Sequence, residues 1–180
     1  MDKALQTMIE NMPEKTGKKL EEWLQILEKE NFEKHSMAVK FLKIEHGVTY
    51  GFANTIVALS KEKNDSPEYL VSKQYIGKES LKPIYEKLLS IVKRFGEDIV
   101  ITPKKGSVSL IRKKQFALIK PATKTRIDLG LKLKGVKEQG CLEDSGPFGT
   151  MCTHRIQLQD ISDIDNEVVG WLSKAYERSV

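Results

Sequence analysis

Cysteine, histidine and aromatic residues are all scarce in this chain, and each scarcity removes a class of protein. Two cysteines in 180 residues, Cys141 and Cys152, cannot build the disulfide framework of a small secreted domain. The N-terminal stretch MDKALQTMIENMPEK is acidic and amphipathic, unlike a signal peptide, so a reducing cytoplasm is the expected compartment. Cys141, Cys152 and His154 come nearest to a metal-ligand set, but their spacing matches no pattern of closely paired zinc ligands, and no metal is expected. Glycine never assembles into a phosphate loop ending in Gly-Lys-Ser/Thr, nor into a Gly-x-Ser-x-Gly nucleophile elbow. No cofactor is therefore expected. No apolar run approaches the ~20 residues that span a bilayer, so no membrane association is expected. Disorder is excluded in turn, because 39% of the residues are hydrophobic and they recur periodically.

Residues 1–63 predict a helical module. Leu5, Met8, Ile9 and Met12 form one apolar stripe, which Pro13 is expected to end because proline lacks the N–H donor. Thr16-Gly17-Lys18 caps a second helix bearing Leu20, Trp23, Leu24 and Leu27. A third runs from Glu33 to His46 and stops at Gly47; a fourth runs from Thr49 to Lys61. Helices of about three turns are marginal alone, so these must share a core. Residues 64–78, around Asn64-Asp65-Ser66-Pro67, lose the helical period and predict a linker with a short strand at Tyr69–Val71.

The period changes beyond this point. Residues 79–95 predict a helix on Leu81, Ile84, Tyr85, Leu88 and Val92. About five strands follow: Asp98–Thr102, Ser107–Arg112, Gln115–Lys120, Thr125–Lys134 and, after a long loop, Thr153–Gln159. In the fourth, Ile127, Leu129, Leu131 and Leu133 alternate with polar residues or glycine, giving one dry and one wet face. Short turns at Pro103–Gly106 and Pro121–Thr123 make the pairing antiparallel. A final helix over Asp163–Arg178, capped by Ser162, completes an α+β two-layer sandwich over 79–180. Two helices cover one sheet face and leave the other open.

Two stretches resemble known families. Thr16-Gly17-Lys18 with Glu22-Trp23-Leu24, Val39 to Lys43, Glu45-His46-Gly47 and Gly51 to Asn54 resemble domain of unknown function 4287. Arg112, Phe116-Ala117, Pro121, Leu129, Leu131, Thr153-His154-Arg155, Asp165, Trp171-Leu172 and Ala175-Tyr176 resemble domain of unknown function 5655. The two matches cover about residues 1–60 and 75–178, and neither family implies an activity. Domains like the second also stand beside endonuclease-like domains, which tilts the expectation towards nucleic-acid biology. The helix-strands-helix order is also similar to frataxin-like folds, but their iron-binding acidic ridge is basic here and is not carried over.

Charge is the clearest anomaly. Residues 104–137 hold eleven Lys or Arg against the single acid Asp128, within a chain of net charge +5, whereas residues 1–63 balance ten bases with ten acids. A concentrated positive surface attracts phosphates. The expectation is a non-catalytic module that binds nucleic acid or another polyanion on a basic sheet face. Arg112, Lys113, Arg126, Lys132, Lys134 and Arg155 would supply the contacts. Base-stacking aromatics are missing from that face. Two alternatives stand beside it. One is an enzyme using His154 and a nearby arginine at the mouth of the 135–153 loop on a small anion. The other is an adaptor docking a protein through Trp23 or Phe52 of the helical module. A helix-turn-helix reading of the third and fourth helices would offer Asn54, Thr55 and Ser60 to base edges.

Overall fold

The computed structural model describes residues 3–180 and divides into two compact units, Met1–Ser66 and Pro67–Val180. The first unit contains α1 (Lys3–Thr16), α2 (Leu20–Glu30), α3 (His35–His46) and α4 (Tyr50–Asp65). Met12, Trp23, Leu27, Val39, Leu42, Ala53 and Ile56 meet in its core. Pro13 does not end α1. It lies in the last turn of an otherwise regular helix, where its missing N–H removes one bond at an exposed position; Gly17 at φ 78° makes the stop. Thr16 is not a cap either. Its hydroxyl donates to Met12 O at 2.7 Å and accepts from the buried Trp23 Nε1 at 2.8 Å, fastening α2 to the end of α1. Gly47, at φ 62°, closes α3 as expected.

In the second unit the segment expected as a linker contains a helix, α5 (Pro67–Gln74). Proline is tolerated at a first helical position, where the N–H has no partner to lose, so Ser66-Pro67-Glu68 starts a helix rather than breaking one. A 3₁₀ turn over Glu79–Leu81 leads into α6 (Lys82–Val92). Then come β1 (Val100–Pro103), β2 (Val108–Ile111), β3 (Gln115–Pro121), β4 (Ile127–Leu131), β5 (Glu143–Asp144), β6 (His154–Leu158) and α7 (Asn166–Glu177). Asp165, not Ser162, caps α7, its carboxylate accepting from Val168 N at 3.0 Å.

The six strands form one antiparallel sheet in the order β1-β2-β3-β4-β6-β5, so β6 lies between β4 and the late edge strand β5. On the inner face Val108, Leu110, Ala117, Ile119, Ile127, Leu129, Leu131, Ile156 and Leu158 pack with α6 and α7 residues such as Leu88, Val92, Val168 and Leu172. Pairing shifts between Leu110↔Ala117 and Ile111↔Gln115. The extra residue at this bulge, Phe116, is fully buried, edge-on to Tyr176 at 5.6 Å. The α+β sandwich is thus as the sequence predicts, with a sixth strand too short to carry a period.

The outer face is not left wholly open. Leu118 of β3 sits there beside Gly130 of β4, and Phe148 and Cys152 from the long loop close over both as a small second core. A glycine flanked by a leucine leaves a shallow apolar depression, and the loop covers it.

Candidate functional site

Strand alternation sends Asp128 of β4 to the outer face, opposite Lys120 on one side and Gln157 on the other. Its carboxylate is fully buried there. Arg126 Nε donates to Asp128 Oδ1 at 2.8 Å, and Arg155 Nη1 approaches Oδ2 at 3.5 Å. Arg155 Nε also donates to Glu143 Oε2 at 3.2 Å, an oxygen that accepts from Gln157 Nε2 at 2.8 Å. Two of the six residues singled out for anion contacts, Arg126 and Arg155, therefore meet on the outer face but hold carboxylates of their own chain. Their geometry ties β5 and the long loop to the sheet.

Arg112 is elsewhere. It leaves the end of β2, where its Nε donates to Asp98 Oδ2 at 2.6 Å and its guanidinium lies 4.3 Å over the Tyr176 ring. The Tyr176 hydroxyl donates to the other Asp98 oxygen at 2.8 Å. The hydrogen bond from Arg112, then that from Tyr176, holds the Asp98 carboxyl below the usual aspartate range.

The remaining three, Lys113, Lys132 and Lys134, are exposed, and the backbone brings their segments together at one end of the sheet. Lys132 N bonds Phe116 O at 2.9 Å, which sets the exit of β4 beside the entry of β3. Lys114 N bonds Ser179 O at 3.2 Å, and Arg178 Nη2 donates to Lys134 O at 3.0 Å, which brings in the end of α7. Lys113, Lys114, Lys132, Lys134 and Arg178 so share one rim. The charge count within 104–137 identifies most of these cations, but Arg178 lies 41 residues beyond it in sequence, and strand alternation assigns lysines to a face, not to an end.

His154 is 6% exposed and lies on the inner side, in register with Leu131. One ring nitrogen, Nδ1, is 2.9 Å from Thr153 Oγ1 and the other, Nε2, is 3.2 Å from Val136 O. An Nε2–H tautomer satisfies both contacts, donating to the carbonyl and accepting from the hydroxyl. The ring thereby fastens the start of the long loop. The positions that a DNA-reading α4 would use are also engaged: Asn54 Oδ1 contacts His35 Nε2 at 2.9 Å, Thr55 donates to Met8 Sδ at 3.4 Å, and Ser60 is buried.

Two open clefts among the described residues bear on these readings. One, of about 630 Å³, lies between β6 and the start of α7, lined by Cys141, Asp160, Asp163 and Asp165 among others. Its acids are occupied in capping: Asp160 accepts from Ser162 N at 2.8 Å and Asp163 from Gln159 N at 2.7 Å. Burial, with Glu167 adjacent, pushes the Cys141 thiol up to about 11, so it stays protonated at neutral pH and is a poor nucleophile. Among the described residues no group of three or more His, Cys, Asp or Glu is placed to hold a metal ion, and no helix is long and apolar enough to cross a membrane. The second cleft, of about 460 Å³, lies between α3 and α4.

These features define a protein with a four-helix unit followed by an antiparallel α+β sandwich, its loops cross-tied by arginine–carboxylate pairs. The chain belongs to the family described as Domain of unknown function (DUF5655), whose family model matches residues 71–179, and residues 4–62 match the model for Domain of unknown function (DUF4287). Both resemblances drawn from the sequence hold, in that order along the chain. No curated protein and no solved structure matches the chain.

Proposed function

We propose that this protein is a non-catalytic binding module for a polyanion, nucleic acid first, and that it works through the lysine-rich end of the sheet. The supporting observation is the convergence of Lys113, Lys114, Lys132, Lys134 and Arg178 from three separate segments onto one exposed rim. The flat outer face is a poorer candidate, because Arg126 and Arg155 already have carboxylate partners there. Lysines on mobile stems suit phosphates approached as point charges, without bidentate geometry or base reading. Binding of this kind is independent of sequence and driven by counterion release.

Titration of fluorescent single- and double-stranded DNA and RNA at several salt concentrations tests the proposal. Duplex DNA binding should weaken with a log–log slope of about −3 to −5, and Lys113→Glu/Lys132→Glu/Lys134→Glu should remove about three units of it. Arg126→Gln should leave the slope within about 0.3 of the parent, well under the ~0.9 that one phosphate contact contributes. Absence of binding at low salt, or a slope untouched by the triple variant, overturns the proposal.

A further inference from the structure

The second cleft differs in kind from the lysine rim. Its walls carry Val39 and Ile44 from α3 and Tyr50 from the start of α4. Ile44 is 64% exposed and Tyr50 63%, an arrangement that leaves apolar surface in water on both sides of a concave feature. Met37, 52% exposed, stands seven residues before Ile44 and continues the same stripe by two turns. Two turns are about 11 Å of helix, the span over which a facing helix presents residues at i, i+3, i+4 and i+7.

Charge selects among such helices. The cleft lining includes Lys40 and Lys43, both exposed, and no carboxylate. The Lys43 ammonium stands 5.6 Å over the Tyr50 ring, so a cation is held directly against the apolar wall. In the cleft lining His35 and Asn54, both exposed, are hydrogen-bonded to each other at 2.9 Å, which links α3 to α4. Of the two residues the sequence offered for docking, Trp23 is 1% exposed and belongs to the core, and Phe52 is partly buried against that core.

We infer that the α3–α4 cleft of the helical unit docks an amphipathic helix of another protein whose apolar stripe is flanked by aspartate or glutamate. The apolar stripe fills the groove between Val39, Ile44 and Tyr50, and the flanking carboxylates meet Lys40 and Lys43. Such a contact is helix-in-groove recognition with the charges setting orientation and partner choice.

The test uses the full chain and a displayed library of 16-residue helical peptides, with leucine fixed at four positions of one stripe and the other positions randomised. Selection should enrich Asp and Glu beside the stripe. Enriched peptides should bind with micromolar affinity and lose at least tenfold on Lys40→Glu/Lys43→Glu or on Ile44→Asp. Ile44→Asp is a change at an exposed position, and an unaltered thermal melt for each variant separates lost docking from lost folding. The Lys113→Glu/Lys132→Glu/Lys134→Glu variant should bind the same peptides unchanged, which distinguishes this cleft from general attraction of acids to the sheet end. Enrichment of basic or neutral peptides, no enrichment at all, or affinity insensitive to Lys40 and Lys43 overturns the inference. So does concentration-dependent dimerisation in sedimentation that Ile44→Asp abolishes, since the cleft would then belong to a second copy of the chain.

Discussion

Gly130 and Cys152 stand so close across the outer layer of the sheet that a Cβ on Gly130 would lie 2.6 Å from Cys152 Sγ, and 3.1 Å from the Phe148 ring. The glycine is not required by its φ; it is required by what lies on top of it. The long loop reaches the sheet only because β4 presents no side chain at this position, and the small core of Leu118, Phe148 and Cys152 forms in the space.

Gly130→Ala should therefore lift the loop without disturbing the inner core. A methyl group forced into packed surroundings costs about 1–3 kcal/mol. Cys152 reports the change directly, because its thiol is 1% exposed and burial pushes its pKa up to about 11. In a Cys141→Ser background the thiol should react slowly with a disulfide reagent. Gly130→Ala should speed that reaction roughly ten- to a hundredfold, the population change that ~1.4–2.8 kcal/mol of loosening produces. An unchanged reaction rate would show that the loop tolerates the methyl group by local adjustment.

Asp128 carries the second prediction. Its carboxylate is fully buried while Arg126 and Arg155 remain 29% and 20% exposed at the side chain. Asp128→Ala leaves two neighbouring guanidinium groups with no shared counter-charge. The cost should be about 2–4 kcal/mol, somewhat below that of breaking a fully buried pair because water reaches both arginines. Urea unfolding of the full chain, followed by Trp171 fluorescence in a Trp23→Phe background, measures it. Arg126→Gln in the Asp128→Ala protein should restore part of the loss, since it removes one of two facing positive charges. A loss below about 0.5 kcal/mol would mean that solvent replaces the carboxylate fully.

The strands were legible because β4 alternates strictly: Ile127, Leu129 and Leu131 are all fully buried on one face while Asp128 and Gly130 point to the other. Helix α5 falls in the segment expected as a linker although its start, Ser66-Pro67-Glu68, is a recognisable helix-opening sequence, because the preceding Asn64-Asp65 makes with it a cluster of turn-forming residue types. The strand β5 is two residues long, and no periodicity exists in two residues. Arg155 reaches both Asp128 and Glu143 because β6 lies between β4 and β5, an order of strands that local pattern does not encode. The same holds for the lysine rim. Sequence counts the cations and alternation assigns them a face, but their meeting with Arg178 follows from where α7 ends on the sheet.

Asp98 gives the pH dependence a direction. Its carboxyl sits below the ordinary aspartate value, first through the hydrogen bond from Arg112 at 2.6 Å and second through that from Tyr176 at 2.8 Å. A depressed carboxyl in the folded state binds fewer protons than in the unfolded state over the window between the depressed value and about 3.9. Its contribution to stability is thus fully present above that ordinary value and is lost as pH falls through the depressed one. Carboxyl-carbon NMR should find Asp98 titrating below ~3.9 in the parent, moving upward most in Arg112→Gln and by a smaller step in Tyr176→Phe. The urea midpoint of Asp98→Asn should correspondingly change less than the parent's between pH 5 and pH 2.5. A parent titration at the ordinary value would mean that the Arg112–Asp98 pair, half open to water on the aspartate side, gives the folded state no preference for the charged form.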